Sequence, residues 1–323
     1  MPTTFLSYAG KLEELYENLE ALASEAQQAP DIDRVVSWTW PRLKATAFYQ
    51  ENAALLERER GNGFWAWKPF IIKDTLDRFV APGDFLIYYD CGRNRPTPWL
   101  EGGRPQSRHH LSSSVAPLLR ACTECGGVFA GRTPTLQSEF TRRDCFHYMD
   151  CDKPRFHDAL QFSATWVVLQ NTPSTTKLVD EWLNFSVDPR IISDDPNTCG
   201  KKNLLGFVDH RHDQAILSLL LYKFRFPYPF DTMLSSKDIN WTVQQLEYIY
   251  KNPRAFKVAR AALNTLATLP PSWNPLWKYW TGPTELPRDP QPSSCMKSKI
   301  SQPPNSLLFA TLWTALKKKG HQV

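Results

Sequence analysis

The chain has 323 residues, of which 42% are hydrophobic and 13% aromatic, with a formal net charge of +5 at neutral pH. That length holds one large domain or two ordinary ones with a full core. The mild charge, part of it from the tail Lys317, Lys318 and Lys319, argues against a nucleic-acid binder, and no run approaches the ~18 apolar residues of a membrane span.

The opening MPTTFLSYAGKLEELYENLE has no basic segment followed by an apolar stretch, so no signal peptide is expected and the setting is expected to be cytoplasmic. TTFLSYA reads as a short strand. KLEELYENLEALASEAQQA places Leu12, Leu15, Leu19 and Leu22 at helical spacing and runs into PDID, a helix and then a turn. RVVSWTW reads as a second strand, so the chain opens β-α-β, the start of a layered α/β domain. PRLKATAFYQENAALLERERG is expected to be one helix ending at Gly61. Pro69 stands in the first turn of the next helix, PFIIKDTLDRFV, where a missing N–H costs nothing. APGD is the turn and FLIYYD a buried parallel strand.

Residues 93–135 are rich in Pro, Ser and Gly, with strand signals returning at GGVFAGR and SATWVVLQN. TPSTTKLVDEWLNFSV is a helix with a Ser/Thr start, DPRIISDDPNTCGKKNLLGF an ordered loop, and VDHRHDQAILSLLLYKF a strand turning into a helix. KFRFPYPF is extended and VQQLEYIYKNPRAFKVARAALNTLATL helical. The expected organisation is a main domain over 1–281, a Pro/Ser-rich disordered linker over 282–306 and a short basic amphipathic helix over 307–323. Seven cysteines, an odd number, suit unpaired, partly buried thiols in a reducing compartment. The single C-x-x-C of Cys122 and Cys125 leaves a structural zinc as the alternative, since Cys145 and Cys151 have the wrong spacing for an ordinary knuckle.

Two clusters carry chemistry. Asp90 ends a central strand, and open α/β sheets bind ligands at the carboxyl ends of their strands. The helix before it runs antiparallel, so its amino end brings Lys68 near Asp90, with Trp65 and Trp67 just ahead. A cation and a positive helix end beside a metal-binding carboxylate suit a diphosphate; the plainer alternative packs both tryptophans on the sheet and leaves Lys68 in solvent. In DHRHDQ, an extended backbone would put His210 and His212 on one face, with Asp213 at a helix-capping position. Asp90 with a histidine suits Mn²⁺ or Mg²⁺, phosphate oxygens completing the shell.

GNGFWAWKP, YYDCG, DEWL, DPRIISDDP and HRHDQAILSLL occur in that order. Over residues 3–225 this resembles the GT-A fold glycosyltransferases of bacteria, algae and large algal viruses, and in particular the chlorovirus capsid-glycan transferase domain. The resemblance implies an α/β fold, a Rossmann-like mixed sheet flanked by helices as a single domain with a helical C-terminal extension. It also implies a nucleotide-sugar donor (a UDP- or GDP-sugar), a divalent cation, and a hydroxyl acceptor on a glycan or glycoprotein. Asp90 matches the aspartate of the family's shortened D-x-D element, with Cys91 in the middle and Gly92 where a second aspartate could stand. Lys68 matches a basic residue that reaches donor sugar or phosphate. Ser7, Tyr8 and Ala9 match the nucleotide pocket, and Asp213 with Gln214 the acidic/amide pair facing the transferred sugar. Arg142, Arg143 and Asp144 resemble a family element of donor or acceptor contact, with a surface salt bridge as the alternative.

Glycosyl transfer passes through an oxocarbenium-like state, and a metal with Lys68 would stabilise the leaving diphosphate. On this reading Trp65 and Trp67 wall the sugar site, and Asp90 with His210 or His212 holds the metal. Asp213 is the first candidate for a general base in an inverting reaction, with Asp194 or Asp195 second; a retaining reaction needs no such base. The competing readings are a non-catalytic glycan- or nucleotide-sugar-binding protein on the same fold and a metal phosphohydrolase built on HRHD.

Overall fold

The computed structural model describes residues 1–92, 111, 114–230 and 239–253. β1 (Thr3–Ala9), α1 (Glu14–Gln28) and β2 (Arg34–Thr39) form the expected opening unit. The helix expected over 41–61 is instead broken into α2 (Trp40–Lys44) and α3 (Ala47–Leu56). The cause is local. Thr46 adopts extended backbone and its hydroxyl accepts from the Tyr49 N–H at 3.1 Å, capping α3. An irregular turn α4 (Gly61–Phe64) leads into α5 (Trp67–Phe79) and β3 (Phe85–Tyr89).

Beyond the undescribed stretch come α6 (Ala116–Glu124), β4 (Val128–Phe129), β5 (Arg132–Leu136), α7 (Gln137–Phe140), α8 (Arg143–Tyr148) and α9 (Pro154–His157). β6 (Leu160–Phe162), β7 (Trp166–Gln170), α10 (Pro173–Ser186), α11 (Pro189–Ile192), α12 (His212–Lys223) and α13 (Ile239–Lys251) complete the described chain. The main sheet has the order β2-β1-β3-β7-β4. β1 pairs in parallel with both β2 and β3, while β7 is antiparallel to β3 and to β4. The result is the expected mixed sheet flanked by helices. β1 and β3 are buried along their whole length, as befits the near-continuous apolar runs of central strands. β2 lies at the edge and exposes Arg34 and Ser37. A second, two-stranded sheet of β5 and β6 was not foreseen; β6 has only three residues, and β5, RTPTL, has a proline and a single large apolar residue.

The described residues belong to one compact unit. The expected linker and terminal helix, over 282–306 and 307–323, lie outside them. The expected strand over 208–211 is absent. That segment docks instead on α7, with the Val208 and Arg211 N–H groups donating to Glu139 O and Phe140 O at 2.8 and 3.0 Å. The six described cysteines are unpaired, and all but Cys199 are buried.

Between α3 and α5 the chain makes a strained turn. Asn62, Phe64 and Trp65 all have positive φ (51°, 58° and 62°), a region that non-glycine residues rarely enter. Gly63 among them has φ +84°, and a Cβ there would stand 2.6 Å from Leu56 Cα and 2.7 Å from Leu55 O. Backbone cannot yield as a side chain does. We expect Gly63→Ala to lose on the order of 2 kcal/mol or more, seen as a lower urea midpoint with unchanged slope. A wild-type midpoint would show that the turn relaxes freely and does not rely on this glycine.

Candidate functional site

Because β1, β2 and β3 are parallel, their carboxyl ends at Ala9, Thr39 and Tyr89 lie on one edge. Asp90 follows β3 there, its N–H donating to Thr165 O at 2.8 Å. α5 begins beside the same edge, and Lys68 is its second residue. The Lys68 ammonium lies 3.4 Å from Asp90 Oδ1 and 2.7 Å from Asp213 Oδ2, and it donates to Ala164 O at 3.0 Å. The proximity of Lys68 to Asp90 is as expected. Its environment is not, because Lys68 is 2% exposed and its ammonium is enclosed by these two carboxylates and the carbonyl. Lys68 therefore orients two carboxylates rather than reaching outward to a ligand.

The electrostatics follow from burial. Desolvation is the largest influence on Lys68 and lowers its pKa, but Asp213 and Asp90 together outweigh it and hold the ammonium charged. Burial pushes the Asp213 carboxyl up to about 6, against the pull of Lys68. Asp213 stands in the first turn of α12 and does not cap it, since the cap position is Arg211 and makes no side-chain bond. Its carboxylate goes to Lys68 instead. Tyr88, two residues before Asp90 on the same strand face, donates its hydroxyl to Asp90 Oδ1.

The other expected donor residues are mostly structural. Ser7 Oγ donates to Tyr89 O at 2.6 Å and ties the ends of β1 and β3 together. Ala9 is fully buried, and the Tyr8 ring packs 3.9 Å from that of Trp67. Trp67 is buried with its indole N–H on Gly61 O at 3.0 Å, so it packs under the sheet edge and does not wall a site. Trp65 is partly buried and stacks on His212 at 5.6 Å. The thiol of Cys91 contacts Tyr8 O at 2.9 Å, and burial pushes it up to about 12.

Among the described residues the histidines form no three-residue ligand group with Asp90. His210 Nδ1 accepts from the Arg142 N–H at 3.3 Å and its Nε2 donates to Ile191 O at 2.9 Å, so both ring nitrogens are committed. His212 Nδ1 donates to Ile192 O at 2.7 Å. Both are buried and serve to dock α11 against the start of α12. Arg143 pairs with Asp152 at 3.0 Å. Asp144 accepts from Thr198 N, Thr198 Oγ1 and Cys199 N at 2.6–2.9 Å, and these bonds outweigh burial to hold it below the usual carboxylate range. Arg142 donates to Ser193 O and to Asn197 Oδ1. This element anchors the loop over 193–203. Gln214 donates to Gln161 Oε1 at 2.7 Å, inside a buried amide cluster with Gln137 and Thr141. Asp194 and Asp195 are paired with Arg60 and Arg58, at 2.9 and 2.8 Å.

A divalent cation would find one protein carboxylate here. Lys68 already supplies the positive charge between Asp90 and Asp213, and Asp90 is the more accessible of the two at 25% exposed against 7%. Among the described residues no group of three His, Cys, Asp or Glu side chains is placed to hold a metal. The donor set suits an ion that arrives with phosphate oxygens rather than a resident one.

Sequence reasoning missed Tyr88 and the Ala164 carbonyl. The YYD run held the signal for Tyr88, through its two-residue spacing from Asp90. Nothing local marks the carbonyl. No protein-family model matches the chain, and no curated protein does. Among solved structures it is similar to mouse xyloside xylosyltransferase 1 in its apo form, with 10% identity and a TM-score of 0.37 over 69% of this chain and 82% of that one. A likeness of that size assigns neither fold family nor activity.

Replacing Lys68 by methionine leaves Asp213 buried beside Asp90 with no cation, and breaking a buried pair this way costs ~3–5 kcal/mol. Asp213, already raised by burial, then loses the opposing pull of Lys68 and binds its proton still more tightly in the folded state. The native state therefore regains stability as pH falls towards the unfolded carboxyl value of ~4. The urea midpoint of Lys68→Met is expected far below wild type in alkaline buffer, the gap narrowing on acidification. A gap independent of pH would show that Lys68 does not balance Asp213.

Proposed function

We propose that this chain is a metal-dependent GT-A-type glycosyltransferase that moves a sugar from a UDP- or GDP-sugar to a hydroxyl of a glycan or glycoprotein. The observation that carries the reading is the buried Lys68 bridge between Asp90 and Asp213 at the carboxyl edge of the parallel strands. Such edges are where open α/β sheets hold ligands, and buried, charge-coupled carboxylates concentrate at functional sites. Three of the motifs that resemble the GT-A transferases, GNGFWAWKP, YYDCG and HRHDQAILSLL, supply Lys68, Asp90 and Asp213.

The two carboxylates are in unlike environments, which suits unlike roles. Asp90, the more exposed, faces the donor diphosphate. A Mn²⁺ or Mg²⁺ ion arriving with that diphosphate would take Asp90 as its protein ligand and offset the charge of the leaving group. Asp213, in a drier setting with its carboxyl near 6, suits a general base at neutral pH for an inverting transfer. Lys68 keeps both carboxylates in position. The phosphohydrolase reading is the weaker one, because among the described residues no three His, Cys, Asp or Glu side chains are grouped to hold a metal, and His210 is engaged through both ring nitrogens. The non-catalytic reading retains one observation, Gly92 in place of a second strand-end aspartate.

A thermal-shift screen of UDP, GDP and their sugars, with and without Mn²⁺, tests the proposal, since a ligand that binds only the native state raises its melting temperature. No shift with any nucleotide would sink it. Asp90→Asn is expected to abolish Mn²⁺-dependent turnover with the fold intact, and undiminished turnover would remove Asp90 from the metal. Asp213→Asn keeps an oxygen for Lys68, so donor affinity should hold while transfer falls ~10²–10⁴-fold. The wild-type rate should decline as pH drops through about 6, where Asp213 protonates, and this acid limb should vanish in the mutant. A mutant rate within a few-fold of wild type would move the base elsewhere.

A further inference from the structure

Beside the start of α12 lies a pocket of ≈ 350 Å³ whose wall includes Arg60, Arg142, Asp194, Asp195, Asn203 and Phe207. Its cations are already engaged. Arg60 donates to Asp194 Oδ2 at 2.9 Å and to Asp209 Oδ2 at 2.6 Å. Arg142 is held by Ser193 O and Asn197 Oδ1, with Asp144 3.7 Å away. An anion therefore finds no spare positive charge and meets three carboxylates, Asp194, Asp195 and Asp209.

The groups left over are those of an uncharged hydrogen-bonding ligand. Asp195 gives Oδ2 to Arg58, and its Oδ1 makes no hydrogen bond among the described residues. Asn203 Oδ1 accepts from Arg143 N and Asn197 Nδ2, both at 2.8 Å, while its Nδ2 donates to no described group. Phe207 adds a half-buried ring.

A further observation lies behind the wall. His212 is 1% exposed, and its Nε2 has no hydrogen-bond partner and stands 3.7 Å from Asp194 Oδ1. Ile192 O can only accept, so His212 Nδ1 carries the ring's proton and Nε2 presents a lone pair. Burial lowers the pKa of the ring and keeps it neutral. His212 is buried outside the pocket lining, so this lone pair backs Asp194 Oδ1 at 3.7 Å and brings no positive charge to the wall.

We infer that this pocket binds an uncharged sugar, with Asp194, Asp195, Asn203 and Phe207 as its contacts. Carboxylate and amide groups beside an aromatic ring match the hydroxyls and the apolar face of a sugar, and the volume accommodates a monosaccharide. His210 of the pocket wall stands three residues before Asp213 of the Lys68 bridge. The pocket's role as the acceptor subsite rests on the glycosyltransferase reading above; sugar binding itself does not.

The test is saturation-transfer NMR on the full chain with methyl glycosides of neutral hexoses and pentoses, run alongside UDP and GDP binding. Two variants spare the Lys68 bridge. Phe207→Ala removes the ring. Asn203→Asp keeps Oδ1 for its two donors but turns the open donor into an acceptor. The expected result is binding of at least one glycoside, weakened about tenfold by each variant, with nucleotide affinity unchanged. If UDP or GDP binds but no glycoside does, if neither variant weakens the glycoside, or if inorganic phosphate displaces it, the inference is overturned. Glycoside binding without nucleotide binding would uphold the sugar pocket and sink the glycosyltransferase reading.

Discussion

The ammonium of Lys68, buried between Asp90 and Asp213, is the interaction on which this molecule's site depends. It joins three elements that are distant in the chain: the start of α5, the end of β3 and the first turn of α12. Such an arrangement is poor evidence for stability. Desolvating three charges costs several kcal/mol each, and a well-packed apolar cluster of similar volume is often as stable. The bridge is better understood as an organiser. It holds two carboxylates close together in a dry setting, where burial, against the pull of Lys68, pushes the Asp213 carboxyl up to about 6.

Around it the backbone is held in place at some expense. The turn from Gly61 to Trp65 runs through successive positive φ values, and strain of this kind persists only where the surroundings over-determine it. Here they do. Arg58 and Arg60 tie the turn to Asp195, Asp194 and Asp209. Trp65 stacks on His212, whose own φ is +41°. These ion pairs are partly exposed, and each contributes little alone. Together they clamp the loop ahead of α5 to the loop ahead of α12, and so set the two ends of the Lys68 bridge. The sugar pocket is built into that clamp, with Arg60, Asp194 and Asp209 serving both.

Buried polar groups elsewhere support the same edge. Ser7 joins β1 to β3, Asp144 secures the turn at Thr198 and Cys199, and Gln161 gathers Gln214, Gln137 and Thr141. Each satisfies backbone or amide groups that would be costly to bury unpaired. Several residues that look like ligand contacts in the sequence have this scaffold role, because a short polar motif serves a loop anchor as well as a substrate.

The sequence alone determined the β-α-β opening, the buried strand ending at Asp90, the helix carrying Lys68 and the approach of Lys68 to Asp90. These follow from apolar periodicity and from the antiparallel return of a helix along a strand, both short-range and regular. It did not reveal the break at Thr46, where a single cap outweighs propensity, or the two-stranded sheet, one strand of which has three residues and the other a proline. Tertiary structure alone decided which polar side chains face one another. His210 and His212 were legible as a dense cluster, yet one nitrogen of each went to the carbonyls of Ile191 and Ile192, some twenty residues earlier in the chain. Lys68 was legible as a cation, but its burial required Ala164 and Asp213, which lie 96 and 145 residues further on. Hydrogen-bond partners at such separations leave no mark on local pattern, because burial and packing assign them only once the sheet edge has formed.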